Sequence, residues 1–109
     1  MKLKTKTKHT PGPWSIEKTT DHDAAYRVMD EQEVTVALCY QQPFDTWMAK
    51  DNAHLIAAAP ELLQCARAGL KAVDFILRTL HADSQEALEI AAIRANFVAA
   101  ILKAEKGKL

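Results

Sequence analysis

The stretch Val34-Thr-Val-Ala-Leu-Cys-Tyr40 decides the fold class, because its larger apolar residues recur at every second position. That period is typical of a strand, in which successive side chains point to opposite faces of a sheet. The predicted apolar face carries Val34, Val36, Leu38 and Tyr40. The same period appears upstream in Trp14–Glu17 and Tyr26–Val28. Together the three segments predict an antiparallel β-meander whose apolar face needs a covering layer.

Downstream of the last strand the apolar period lengthens to between three and four residues, which is typical of helices. We predict a short helix over residues 51–59, because Asp51 or Asn52 can cap its start. Pro60 suits the first turn of a second helix over residues 60–80, with a kink or break at the proline. The fold class is therefore α+β: a three-stranded meander, a short helix and a long helical hairpin.

The helical hairpin is predicted to expose more apolar surface than one core requires. The stripe expected to be buried on the second helix comprises Leu62, Ala66, Gly69, Val73, Ile76 and Leu80. A third helix, capped by Ser84 and ending near Lys106, is apolar on two sides. Its second apolar side either packs inside the fold or contacts another chain, so a homodimer through the helices is one expectation.

The size and charge of the chain bound its organisation. It has 109 residues, with 14 acidic and 14 basic side chains, and this length favours one domain. We predict that domain over residues 9–106, between a basic disordered tail at 1–8 and a short tail at 107–109. No apolar run resembles a secretory signal or could cross a bilayer. We expect a cytoplasmic protein with no membrane partner.

The basic tail supports an alternative function. Its charges are Lys2, Lys4, Lys6 and Lys8, with no acidic residue among them. Such a tail could bind phosphates and make the protein an accessory nucleic-acid binder. Because the whole chain is formally neutral, the remainder is acidic and would repel nucleic acid. We therefore prefer a solubilising role for the tail.

The residues capable of chemistry do not form a recognisable catalytic or metal-binding set. Asp21-His-Asp23 lacks a known metal-ligand spacing and is interpreted as a polar loop. His54 follows Asp51 by three residues and could act as a general base, but a surface pair is the preferred interpretation. Cys39 and Cys65 are predicted to be buried free thiols. We predict no metal, no cofactor and no enzyme, with a small enzyme of unknown reaction as an alternative.

A loop predicted after the last strand carries the candidate partner-binding residues. Its large apolar side chains are Phe44, Trp47 and Met48, and polar neighbours are Gln41, Gln42 and Asp45. Apolar residues in a loop either close over the core or contact a partner. Large side chains beside polar ones are typical of a protein interface.

Two motifs give the chain a resemblance: His9-Thr-Pro-Gly-Pro-Trp14 and Asn52-Ala-His-Leu-Ile-Ala-Ala-Ala-Pro-Glu-Leu-Leu63. Together they resemble a family of small proteins encoded by bacteriophages and prophages. That family typically has an Asp-Gly hairpin turn where this chain has Asp30-Glu-Gln-Glu33. The resemblance implies a phage origin and a bacterial cytoplasm.

The resemblance also ranks the candidate functions. Small phage proteins without catalytic motifs are often inhibitors or adaptors of host proteins, including defence systems. By that analogy we expect a non-enzymatic interaction module whose partner is a host protein. The module could inhibit a defence component such as a CRISPR effector.

Overall fold

The computed structural model describes residues 9–19, 24–40 and 46–107. The elements, in chain order, are β1 (Ser15–Lys18), β2 (Ala24–Met29), β3 (Thr35–Tyr40), α1 (Thr46–Ala57), α2 (Ala59–Leu77) and α3 (Gln85–Lys106). The predicted α+β class is therefore confirmed. The chain divides into two compact units, residues 1–61 and 62–109, and each is described in turn.

The first unit is built on an antiparallel sheet with strand order β1-β2-β3. Ile16, Val28 and Ala37 lie side by side across the three strands, so they share one face. Val28 is completely buried there, and α1 contributes two further buried residues, Ala49 and Ala53. The helix is thus the cover that a sheet with one apolar face needs.

The face predicted for β3 was correct at Val36, which packs against the core, and wrong at the other three positions. The pairing places Ala37 and Cys39 on the core face, whereas Leu38 and Tyr40 are exposed. Between the pairs Val28–Ala37 and Met29–Thr35 the strand β3 holds one extra residue, which makes a β-bulge. Small side chains on β3 face the alanines of α1, so helix and sheet can approach closely.

Helix α1 begins earlier than predicted. It starts at Thr46 rather than near Asp51, so Asp51 and Asn52 lie inside the helix and do not cap it. Trp47 and Met48 are correspondingly helical, not part of a loop. The early start follows from packing, because a helix that begins at Thr46 places Ala49 and Ala53, one turn apart, against the sheet.

The turn between β2 and β3 forms without glycine. One carboxylate oxygen of Asp30 accepts hydrogen bonds from the backbone N–H groups of Gln32 and Val34, each at 2.9 Å. Glu33 takes the left-handed conformation with φ 63°. Side-chain bonds from Asp30 therefore hold a backbone shape that glycine would adopt at lower cost.

The two motifs of the sequence contact each other in the first unit. Pro60 is the second residue of α2, which confirms its predicted place in the first turn, and Ala58 separates α1 from α2. A Cβ added to Gly12 would lie 2.8 Å from Cβ of Pro60. Trp14 donates a hydrogen bond from its indole N–H to the carbonyl of Pro11 at 3.1 Å. The first motif is therefore a compact turn packed on the α1–α2 junction.

The second unit contains most of α2 together with α3. Arg94 donates a hydrogen bond to Asp74 at 2.6 Å, and Arg67 pairs with Glu105. Asp74 lies near the end of α2 and pairs with the middle of α3, whereas Glu105 lies near the end of α3 and pairs with the middle of α2. The helices therefore run antiparallel. Phe97 fills the space beside Gly69, where an added Cβ would lie 2.5 Å from its ring.

The predicted buried stripe of α2 is only partly correct. Val73 is buried, but Leu62 and Ile76 are exposed. The helix also ends at Leu77 instead of reaching Leu80. In a unit of two helices each helix packs against one neighbour. It can therefore bury only part of an apolar side as wide as that of α2.

Both predicted ends of α3 are confirmed. The Ser84 hydroxyl oxygen accepts a hydrogen bond from the Ala87 N–H at 3.1 Å. At the other end Gly107 has φ 67° and donates its N–H to the Lys103 carbonyl at 3.0 Å. Left-handed glycine is the usual residue at such a helix end. No helix within the described ranges is both long and apolar enough to cross a membrane.

Candidate interaction surface

The predicted partner-binding segment is partly described by the structure. Met48 lies in the first turn of α1 with half of its side-chain surface exposed, at 50%. Trp47 lies beside it in the same helix. The other predicted residues lie outside the described residues: Gln41, Gln42, Phe44 and Asp45. The structure thus assigns one large apolar residue of the segment, Met48, to the surface.

A second large residue borders the segment on its N-terminal side. Tyr40 is the last residue of β3 and is 54% exposed. Tyr40 and Met48 therefore flank residues 41–47 along the chain, and each leaves about half of its surface in water. Large exposed side chains of this kind are the ones that become buried in protein interfaces.

The outer face of the sheet continues this exposed surface. Leu38 is exposed on it, next to Arg27 in the strand pairing. The Arg27 guanidinium donates hydrogen bonds to the Glu17 carboxylate at 2.8 Å and the Thr35 hydroxyl at 3.1 Å. Arg27 is consequently held on the outer face by residues of both neighbouring strands, and its charge is balanced by Glu17. The face presents apolar side chains beside a neutralised ion pair.

Strand β3 is also an edge strand. In the described sheet it pairs with β2 alone, and Thr35–Tyr40 contains no charged residue and no proline. Natural edge strands usually carry such residues because an unprotected edge can pair with another chain. The strand leading into the predicted segment thus lacks the usual protection against added strands.

A comparison with known protein families places the chain. The family model described as Salmonella phage P22 protein Y8K6 matches residues 1–108. The chain belongs to this family. The match covers both compact units, so it reaches far beyond the two motifs in the first half. No curated protein matches the chain, and no solved structure does.

Membership in this phage protein family confirms the expected phage origin. Both motifs lie within the residues that the family model matches. The close approach of Gly12 to Pro60 explains why a glycine occurs in the first motif, since a Cβ at that position would clash with the proline ring. The motifs that carry the resemblance therefore build the fold at the α1–α2 junction.

The residues considered for chemistry are not brought into a catalytic arrangement. Asp51 and His54 are both exposed on α1, and within the described part of the chain no hydrogen bond joins their side chains. Asp21-His-Asp23 and the lysines of the tail lie outside the described residues. No group of three or more potential metal ligands was found among the residues that the structure describes. The predicted absence of an enzyme stays a prediction.

The two cysteines differ in their surroundings. Cys39 is a buried free thiol, as predicted, and burial raises its pKa. Cys65 is exposed, so its predicted burial was wrong. It lies in α2 three residues after Leu62, which is also exposed. Cys39 is thus part of the core, whereas Cys65 is open to solvent.

Sequence reasoning missed two residues of the surface, Leu38 and Tyr40. Strict alternation assigned both to the buried face, and a bulge of one residue moved them to the outer face. A signal was present in the alternate positions. Ala37 and Cys39 are small and uncharged, which suits close packing under an alanine-rich helix such as α1.

Proposed function

We propose that this phage protein is a non-enzymatic interaction module that binds a host protein through residues 38–48, here named the β3–α1 surface. Its members with described side chains are Leu38, Tyr40 and Met48. The observation that supports the proposal is the half exposure of Tyr40 and Met48 on either side of the predicted contact segment. Large apolar side chains that are exposed close together are typical of protein interaction sites.

The chemistry of the surface suits a protein partner. A tyrosine supplies a large rigid contact with a polar end, and a methionine adapts its shape to the facing surface. The uncharged edge of β3 could add main-chain hydrogen bonds to an extended segment of the partner. As a phage product, the protein would meet host proteins first, and a defence component such as a CRISPR effector is the example that the analogy favours.

The first experiment is affinity purification of the tagged full chain from bacterial lysate, with and without nuclease. We expect a host protein that co-purifies in a defined ratio, resists nuclease and is identified by mass spectrometry. Nucleic acid that is recovered and then lost with nuclease or high salt would instead support binding through the lysine tail. Recovery of neither would contradict the proposal.

Variants then test whether the β3–α1 surface is the contact. Tyr40→Ala and Met48→Ala should each weaken binding about tenfold or more, as truncation of interface anchors commonly does. Val34→Ala is the matched control, because Val34 is a similarly exposed apolar residue that lies just before β3, at the end of the strand opposite to Tyr40. Circular dichroism should show that all three variants stay folded. Unchanged binding by both Tyr40→Ala and Met48→Ala would rule out this surface.

A further inference from the structure

One face of α3 is apolar and exposed although the helix already packs on α2. Contacts with α2 use Phe97 and the two ion-paired residues Arg94 and Glu105, and Ala87 is buried near the start of the helix. The exposed face, here named the α3 outer face, comprises Leu88, Ala92, Ala95, Ala99 and Leu102. Leu88 is 59% and Leu102 is 37% exposed.

The spacing of these residues makes one straight face. They follow steps of four, three, four and three along the helix, which is the pattern of a helix that packs lengthwise against another helix. At 100° per residue they fall within an arc of about 80°, and the face extends about 21 Å along the axis. No charged residue lies in that arc between Leu88 and Leu102.

The α3 outer face is nearly symmetric about its centre. Leu88 and Leu102 each lie seven residues from Ala95. If a second copy of α3 packed antiparallel with the two Ala95 residues opposed, Leu88 would meet the partner's Leu102 at both ends. Alanines would oppose each other between them and would allow the two helix backbones to approach closely. The face is therefore complementary to itself.

The charges beside this face are complementary in the same arrangement. Glu89, Asn96 and Lys103 form a line along one flank, seven residues apart. A twofold axis through an antiparallel pair brings the same flank of both helices together. Glu89 then lies within about two residues, or about 3 Å along the axis, of the partner's Lys103. Asn96 lies equally near the partner's Asn96, so every flanking polar residue has a partner.

We propose that the α3 outer face binds a second copy of this chain as an antiparallel helix pair. A second copy of α3 fits this face in both shape and charge, because one twofold axis pairs leucine with leucine and glutamate with lysine. A single helix face of this length buries less area than a standard interface, which buries about 800 Å² per partner. The dimer is therefore weak and forms as the protein concentration rises. It uses residues outside the β3–α1 surface and stands independently of the proposed function.

Sedimentation equilibrium of the full chain tests the pairing, over concentrations from about 10 µM to about 500 µM for a weak interface of this size. The expected mass rises from one chain towards two. Ala95→Lys opposes two lysines at the twofold axis and should abolish the rise. Ala100→Lys is the matched control, because Ala100 is also exposed on α3 but lies outside the α3 outer face. It should dimerise as the unmodified chain does.

Charge reversal distinguishes this register from any other apolar contact. Glu89→Lys alone and Lys103→Glu alone each replace two attractive pairs by two repulsive ones, which should weaken the dimer about tenfold at low salt. The double variant restores opposite charges across the axis and should recover the original dissociation constant. A chain that stays monomeric at all concentrations would overturn the proposal. So would a dimer that tolerates Ala95→Lys, or single reversals that the double variant does not rescue.

Discussion

The first unit and the α2–α3 hairpin are stabilised in different ways. In the first unit, buried residues from the sheet and from α1 form one cluster around the fully buried Val28. In the described part of the hairpin, only Val73 and Ala87 are buried, and ion pairs at the surface join the helices. Exposed ion pairs contribute little. The comparison indicates that the first unit carries its own core, whereas the hairpin offers apolar surface for further contacts.

The largest expected difference between the two regions is the reactivity of their cysteines. Cys65 in the hairpin should react with an alkylating reagent at the rate of a free thiol. Cys39 should react about a thousandfold more slowly, because it reacts when the first unit opens, and the open fraction is small. Peptide mass spectrometry after timed alkylation measures both rates. Equal rates would show that the first unit lacks a protective core.

The buried thiol also links stability to pH. Since burial raises the pKa of Cys39, the folded state disfavours the thiolate. The stability that the protonated Cys39 thiol contributes is fully present below the unfolded thiol pKa of about 8.5. It is lost as the pH rises from there towards the folded pKa. Urea unfolding at a series of pH values should show a decline above that point that is smaller in Cys39→Ala.

Truncation of one apolar residue in each region provides the next contrast. Val28→Ala should lower the free energy of unfolding by about 2 kcal/mol, because it removes buried methyl groups and leaves a cavity. Phe75→Ala in the hairpin should cost less than about 1 kcal/mol, since the ring is mostly exposed and contacts Arg78 at 5.9 Å. Urea unfolding of both variants measures the difference. A larger loss of stability in Phe75→Ala than in Val28→Ala would contradict the difference between the two regions.

The contact between the two motifs should be next in size. Gly12→Ala places a methyl group against the Pro60 ring and should lower stability by about 1 to 2 kcal/mol. Pro60→Gly removes both the Cβ and the Cγ atom that the added methyl group would meet, so the double variant should lose less than the sum of the two single changes. A thermodynamic cycle from urea unfolding measures this coupling. Simple additivity would mean that the two motifs do not interact.

The smallest expected effect is a gain in stability. Glu33→Gly relieves the left-handed conformation in the β2–β3 turn and should stabilise the protein by about 0.5 to 1 kcal/mol. Asp30→Ala serves as the opposite change, because it removes the carboxylate that accepts two backbone hydrogen bonds. Thermal melts of both variants should move in opposite directions. A loss of stability in Glu33→Gly would contradict the assigned turn geometry.

The sequence predicted where helices and strands lie better than it predicted which of their faces are buried. Three strands, the place of Pro60 and both ends of α3 follow from local signals: period two, a proline in a first turn, and Ser84 and Gly107 as caps. The buried face of β3 did not follow, because one bulge residue reverses which side chains face the core. The start of α1 was also missed, since packing of Ala49 on the sheet outweighs the capping preference of Asp51.

The candidate surface was predicted in part for the same reason. The sequence left open whether Met48 closes over the core or contacts a partner, and the structure shows it half exposed. Tyr40 was assigned to the core, because its exposure depends on the register between two strands, which no local pattern encodes. Exposure of Leu88 was equally hard to predict, since it depends on which side of α3 turns towards α2.

Residue-resolved hydrogen exchange of the full chain, at a concentration where it is monomeric, tests the central contrast between the regions most directly. The account predicts that amides of β2, β3 and the middle of α1 exchange slowest, at rates set by global unfolding. Amides of α2 after Leu62 and of α3 should exchange faster through local opening. Slowest exchange in the α2–α3 hairpin, with faster exchange in the sheet, would contradict the account.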